Sequence, residues 1–140
     1  INDQFGHHMG DTVLIAVSQK LGLHLRESDV VGRFGGEEFI LILKQSSALK
    51  ARQIAERCRA AIEDLVIQNE DGRAIRITAS FGIALATDKL KPQQLLDRAD
   101  KALYAAKASG RNQIKCYLEI NPGEIKYSAA CGDTQHISPN

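Results

Sequence analysis

The chain has 140 residues, of which 44% are hydrophobic and 25% charged, with a net charge of +1. That length and apolar content suit one globular domain with a buried core, and the near-neutral balance gives no support to a nucleic-acid coat or a membrane-surface role. No apolar run approaches the roughly 20 residues needed to span a bilayer, and nothing resembles a secretory signal.

In chain order, residues 11–26 carry Leu14, Val17, Leu21 and Leu25 on one helical stripe, with Asp11 placed as an N-cap. A strand ending near Arg33 is followed by Gly35-Gly36-Glu37-Glu38 and a second strand, Phe39–Leu43. Strands joined so closely pair antiparallel. The stretch from Ser46 to Ile67 repeats Ala51, Ile54, Ala55, Cys58, Ile62 and Leu65 at helical spacing, with Ser46 or Ser47 as its cap. Asp71-Gly72 reads as the turn of a short ribbon. Residues 74–86 then alternate Ile75, Ile77, Ala79 and Phe81 against Arg76, Thr78 and Ser80, the pattern of a half-buried strand. A helix from Lys91 starts with Pro92 and stops at Gly110, with Leu95, Leu96, Ala99, Leu103 and Ala106 inward. Residues 112–118 form a final strand, and from about Glu119 the periodicity fades into a tail or loosely packed extension. Helices alternating with strands, one link being a hairpin, imply an α+β domain rather than a doubly wound parallel sheet.

Cys58 lies on the apolar face of a predicted helix and reads as a reduced core thiol. Three cysteines without metal-like spacing fit a cytosolic protein better than a disulfide-stapled one. The four histidines, His7, His8, His24 and His136, show no ligand pattern.

Chemistry concentrates at a few places. Two adjacent carboxylates beside two glycines are either a solvated hairpin turn or an oxygen-donor site for a hard cation, beside which phosphates can approach a backbone that lacks Cβ atoms. Arg26-Glu27-Ser28-Asp29 reads as a surface ion pair or as a guanine-and-phosphate grip. Lys107 and Arg111 near a helix C-terminus are favoured there by the helix dipole, and are equally suited to a triphosphate. Arg33 is open between a phosphate contact and an exposed strand residue.

Five motifs stand in order: "NDQFGHHMGD", "RESD", "RFGGEEF", "SFGIA" and "DRADKALYAAKASGRN". Together they resemble the GGDEF family of diguanylate cyclases, bacterial signalling enzymes that join two GTP molecules into cyclic di-GMP. The signature takes its Glu-Glu form, and the resemblance covers residues 1–117, leaving 118–140 as a C-terminal tail. It implies a palm-like nucleotidyl-cyclase domain with a central, mostly antiparallel sheet flanked by helices. It also implies that Glu37 ligates Mg²⁺ (or Mn²⁺), that Glu38 is a neighbouring or proton-accepting group, and that Gly35 and Gly36 let phosphates in. Asn2 and Asp11 match the guanine-reading pair, Leu14 would pack against the base, and Lys107 and Arg111 match phosphate contacts. Arg26 and Asp29 stand at the family's inhibitory cyclic di-GMP site, to which Arg57 adds a second arginine.

The resemblance further implies a homodimer, each protomer bringing one GTP, in the cytoplasm, controlled by an upstream sensory or regulatory domain that can itself be membrane-anchored. A non-catalytic receptor for cyclic di-GMP or GTP is the alternative, and the intact metal carboxylate argues against it. A palm-like polymerase fragment shares the metal logic but lacks the basic surface a duplex needs, so no nucleic-acid partner is expected.

Family members carry, before the equivalent of Ile1, a strand whose aspartate is the other metal carboxylate, so the chain is expected to be a piece of a longer protein. The 140-residue polypeptide alone should give little or no cyclic di-GMP from GTP and Mg²⁺, while a form extended upstream should make it; product chromatography of both forms checks this.

Overall fold

A computed structural model describes residues 2–131, with side-chain surroundings from residue 10 onward, and contains three helices and seven short strands within them. Helix α1 (Asn2–His24) buries Val13, Leu14, Val17 and Leu21. It begins nine residues before Asp11, so Asp11 is an exposed residue inside the helix and not its N-cap.

Strands β1 (Val30–Arg33) and β2 (Phe39–Ile42) form the expected hairpin, in register from Val30 opposite Ile42 to Arg33 opposite Phe39. Helix α2 (Ala48–Glu63) is capped by Ser47, whose hydroxyl accepts from the Lys50 N–H at 3.1 Å. This choice between the two serines has a reason, because Ser46 is used elsewhere: its hydroxyl accepts from Arg26 at 2.6 Å. The helix stops earlier than its apolar spacing suggested. Val66 and Ile67 belong instead to β3 (Val66–Gln68), paired antiparallel with β4 (Ala74–Arg76) across the Asp71-Gly72 turn, where Gly72 has φ 80°.

The long alternating stretch from 74 to 86 is divided. β4 ends at Arg76, and β5 (Phe81–Ile83) pairs in parallel with β6 (Ile114–Asn121). Alternation sets which side chains point inward, and it does not set which neighbour the backbone bonds to. Among the described residues the strand pairs are mostly antiparallel, as expected for an α+β domain, but they are distributed over three small sheets.

Helix α3 (Pro92–Ala108) starts with Pro92 in its first turn. Ala102 and Ala106 are its fully buried contacts, while Leu95, Leu96, Ala99 and Leu103 are half-buried. The small residues go deepest because β5 lies directly on the helix. A Cβ added at Gly82 would overlap the Ala99 carbonyl oxygen and the Leu103 backbone.

The expected tail contains further structure. β6 runs on to Asn121 and turns at Pro122-Gly123, with Gly123 at φ 84°, into β7 (Glu124–Ser128). Pro-Gly is the pair a turn with positive φ at its third position requires, so the hairpin had a local signal that the weak alternation around it hid. Beyond it, Cys131 is buried and disulfide-paired with Cys116 at a Cα–Cα distance of 5.4 Å, correcting the expectation of a chain without disulfides. Cys58 is the buried free thiol anticipated, and desolvation raises its pKa. His7, His8 and His136 lie where no side chain is described. No described helix is long and apolar enough to cross a membrane.

The contact at Gly82 makes the fold prediction. Gly82→Ala should destabilise the protein by about 1–3 kcal/mol, the usual cost of overpacking where backbone cannot yield, read as a lowered urea midpoint. Gly32→Ala, whose added Cβ meets nothing within 4 Å, should change it far less.

Candidate active site

The two glycines and two glutamates form the tip of the β1–β2 hairpin. The Phe34 N–H donates to the Glu38 carbonyl at 2.8 Å and the Glu38 N–H to the Gly35 carbonyl at 3.1 Å, closing a tight loop between the strands. Gly35 and Gly36 have φ of 79° and 48°, the left-handed region that side chains resist, so the turn requires residues of this kind. Arg33 braces it: Nε and Nη2 both donate to the Gly36 carbonyl, at 2.9 and 2.7 Å. The sequence alone left Arg33 open, and its bracing role depends on a turn conformation that residue types do not disclose. Glu37 and Glu38 are exposed at this tip.

Between α1 and the hairpin lies an open cavity of about 200 Å³ lined by Leu14, Ile15, Ser18, Val31, Gly32, Arg33 and Phe39. Leu14 is 4% exposed and forms part of its wall. Asp11, three residues earlier on the same helix, is exposed on the adjoining turn. Asn2 begins α1, but its side chain lies outside the described residues.

Lys107 and Arg111 belong to a different corner. Helix α3 ends with the Gly110 N–H donating to the Lys107 carbonyl at 3.4 Å and the Arg111 N–H to the Ala106 carbonyl at 3.0 Å, the paired bonds of a Schellman cap. Gly110, Arg111 and Asn112 then have φ of 117°, 62° and 49°, three left-handed residues in succession. At Arg111 that conformation costs roughly 1–2 kcal/mol, met by bonds on either side. The Asn112 N–H donates to Ser80 Oγ at 3.1 Å, its Oδ1 accepts from Arg59 Nη1 at 2.8 Å, and its Nδ2 donates to Glu63 Oε2. Arg59 also forks onto Glu56, at 2.9 and 2.7 Å, which holds the Glu56 carboxyl below its ordinary range. Sequence reasoning passed over this cluster, although Glu56, Arg59 and Glu63 stand at the three- and four-residue spacings that meet on a helix.

Arg26 and Asp29 are bonded to each other. Arg26 Nε and Nη2 donate to the two Asp29 oxygens at 3.0 and 2.8 Å, and the Arg26 N–H adds a third bond at 2.9 Å. The guanidinium also donates to the Lys44 carbonyl at 2.8 Å and to Ser46. The Asp29 side chain is 0% exposed, and hydrogen bonding to Arg26 holds its carboxyl below the usual range against the opposing effect of burial. Arg57 lies ten residues beyond the α2 cap, about 15 Å along the axis at 1.5 Å per residue. It lines a shallow basic cavity of about 300 Å³ with Lys50, Arg52, Gln53 and Glu56.

The family model for the GGDEF domain of diguanylate cyclases matches residues 1–113. The chain belongs to the GGDEF family. It is 41% identical over 115 residues to diguanylate cyclase A of Treponema denticola, covering 81% of this chain and 31% of that protein. The structure of the diguanylate cyclase SiaD of Pseudomonas aeruginosa, in complex with its activator SiaC, aligns with a TM-score of 0.79 at 37% identity, over 83% of this chain and 44% of that one. The GGDEF domain of DgcB from Caulobacter crescentus, in complex with c-di-GMP, aligns with a TM-score of 0.77 at 30% identity, over 82% of this chain and 68% of that one. The chain thus spans about a third or less of the length of curated relatives such as these.

GGDEF cyclases depend on divalent metal, and the exposed Glu37 and Glu38 are the right donors, since Mg²⁺ takes hard oxygen ligands from one or two carboxylates plus substrate phosphates. No group of three or more potential metal-ligating side chains occurs among the described residues. Glu37 and Glu38 are oxygen donors of the kind such an ion takes, and would supply the carboxylate part of its coordination.

The depressed Asp29 carboxyl has a consequence for stability. A group whose folded pKa lies below its unfolded value of about 3.9 stabilises the fold above that value, and the contribution is lost as pH falls through the folded pKa. Urea midpoints should therefore drop as pH is lowered below about 4, and Asp29→Asn should flatten part of that slope while lowering the midpoint at neutral pH.

Proposed function

We propose that this GGDEF domain condenses two molecules of GTP into cyclic di-GMP with release of pyrophosphate, acting in the cytoplasm as a homodimer in which each protomer presents one GTP to the other. The observation that carries the reading is the hairpin tip. Two left-handed glycines and two exposed carboxylates form the tip of a hairpin whose flanking residues Arg33 and Phe39 line a cavity that Leu14 also walls.

In this reading the purine lies toward the α1 side of the cavity. Asp11, relieved of any capping duty, accepts from the guanine N1–H and exocyclic amine, a pair of donors adenine does not offer, and Asn2 reads the remaining polar edge. Leu14 packs on the base. The triphosphate crosses the Gly35-Gly36 backbone, where the absence of Cβ atoms permits close approach. Glu37 would hold Mg²⁺, which when bound would supply charge neutralisation at the α-phosphate and acidify the attacking 3′-hydroxyl. Glu38 accepts the proton as the 3′-oxygen bonds to the partner's α-phosphorus and the bond to the β-phosphate oxygen breaks. Lys107 supplies a point charge and Arg111 a fork of donors to the departing phosphates. Most of the rate enhancement then comes from positioning and charge neutralisation, so the dimer geometry set by an upstream regulatory domain governs output.

Arg26 and Asp29, with Arg57, form the inhibitory product site. A guanine and phosphate there would take over bonds that Arg26 now makes to Asp29, Lys44 and Ser46, which couples product binding to the position of the hairpin and the start of α2.

In the form extended upstream, Glu37→Ala should abolish cyclic di-GMP formation from GTP and Mg²⁺, and Arg26→Ala should relieve inhibition by added product. A wild-type extended protein that binds cyclic di-GMP but forms none would favour the receptor reading, and an Arg26→Ala enzyme inhibited like wild type would remove the regulatory site.

A further inference from the structure

We infer that Asn112 is a positioning residue for substrate phosphate: with Glu63, Arg59 and Ser80 it locks the left-handed loop that aims the Arg111 guanidinium. The inference rests on the proposed role of Arg111 and goes beyond it, because it assigns the direction of that side chain to residues on other elements.

The geometry is specific. Arg111 is exposed, yet its backbone sits at φ 62°, between a helix cap on one side and the anchored Asn112 on the other. Such a conformation persists only where its surroundings over-determine it, and it is found where a side chain must be held ready. Asn112 supplies that over-determination with three bonds to three partners. Two of these, Arg59 and Glu63, lie on α2, and the third, Ser80, immediately precedes β5. Glu56 in turn fixes the Arg59 guanidinium from the preceding turn of α2, leaving Nη1 to Asn112 and Glu63. Gln113 closes the loop from the other side, its amide donating to the Ser109 and Arg111 carbonyls at 2.9 and 3.1 Å. Asparagine suits the position for two reasons: it tolerates left-handed φ better than other non-glycine residues, and its amide both donates to Glu63 and accepts from Arg59.

The test is nucleotide affinity, by isothermal titration calorimetry with Mg²⁺ and 3′-deoxy-GTP, which lacks the attacking hydroxyl and so binds without turnover, on the upstream-extended protein, together with urea midpoints. Asn112→Gly removes the anchor while relieving the left-handed strain. It should weaken nucleotide binding about tenfold, on the order of one charge-assisted hydrogen bond. In an Arg111→Ala background it should weaken binding no further. Glu63→Ala should behave likewise, and Glu63→Gln, which keeps an acceptor for the Asn112 amide, should restore affinity; this pair carries the test if Asn112→Gly does not fold.

A purely structural role would appear as a lowered midpoint with unchanged nucleotide affinity, and would overturn the inference. So would additive losses in the double variant. Arg111→Ala without effect on affinity would overturn the inference together with the phosphate role of Arg111, whereas a strong Arg111→Ala effect beside a silent Asn112→Gly and Glu63→Ala would overturn the inference alone.

Discussion

Helix α2 is buried on two faces, and the arrangement of the site depends on it. Ile54, Cys58 and Ile62 pack into a core with Val13, Val17 and Leu21 of α1 and with Ile67 and Ile75 of the β3–β4 ribbon. Ala48 and Ala55, round the helix, pack into a second core with Ile114 and Cys116 of β6 and with Cys131. Each fully buried isoleucine contributes on the order of 1.5–3 kcal/mol, so neither face can slide without a large loss. The hairpin tip and its cavity lie on the α1 side of this helix, and the loop bearing Arg111 is tied to its C-terminal end.

The hairpin tip and the α3 corner are built differently. The hairpin tip relies on glycine backbone and one bracing arginine, leaving the Glu37 and Glu38 side chains exposed. The α3 corner relies on a closed network of charged and amide groups, in which Arg59 is 17% exposed on its side chain and its charged form is stabilised by hydrogen bonding to Glu56. A partly desolvated network of this kind stiffens whatever it holds. A similar economy of bonds is visible at Arg26, whose guanidinium is divided among Asp29, the Lys44 carbonyl and Ser46, and so links the end of the α1 region to the start of α2. That link is also the reason Ser47, and not Ser46, caps the helix.

Much of this was legible in the chain. The helical stripes of α1, α2 and α3, the hairpin with its glycine turn, the Asp71-Gly72 ribbon and the buried Cys58 all followed from period and turn chemistry. The five ordered motifs carry the resemblance to the family whose model matches residues 1–113. Where reading failed, pairing with an adjacent strand decided the outcome: Val66 and Ile67 left the α2 pattern to pair with β4, and the tail became β7 because β6 offered it an edge.

The sequence by itself determined which residues turn inward and where the backbone must bend, because those depend on local sterics and on side-chain spacing within one element. Only the tertiary structure decided that β5 pairs in parallel with β6, that Cys116 meets Cys131, that Arg33 braces the signature turn, and that Asn112 is held by α2. The Arg33 brace turns on an unusual loop conformation, and the other three join residues far apart in the chain. Such contacts form only after the cores have brought their elements together, so no local pattern carries their trace.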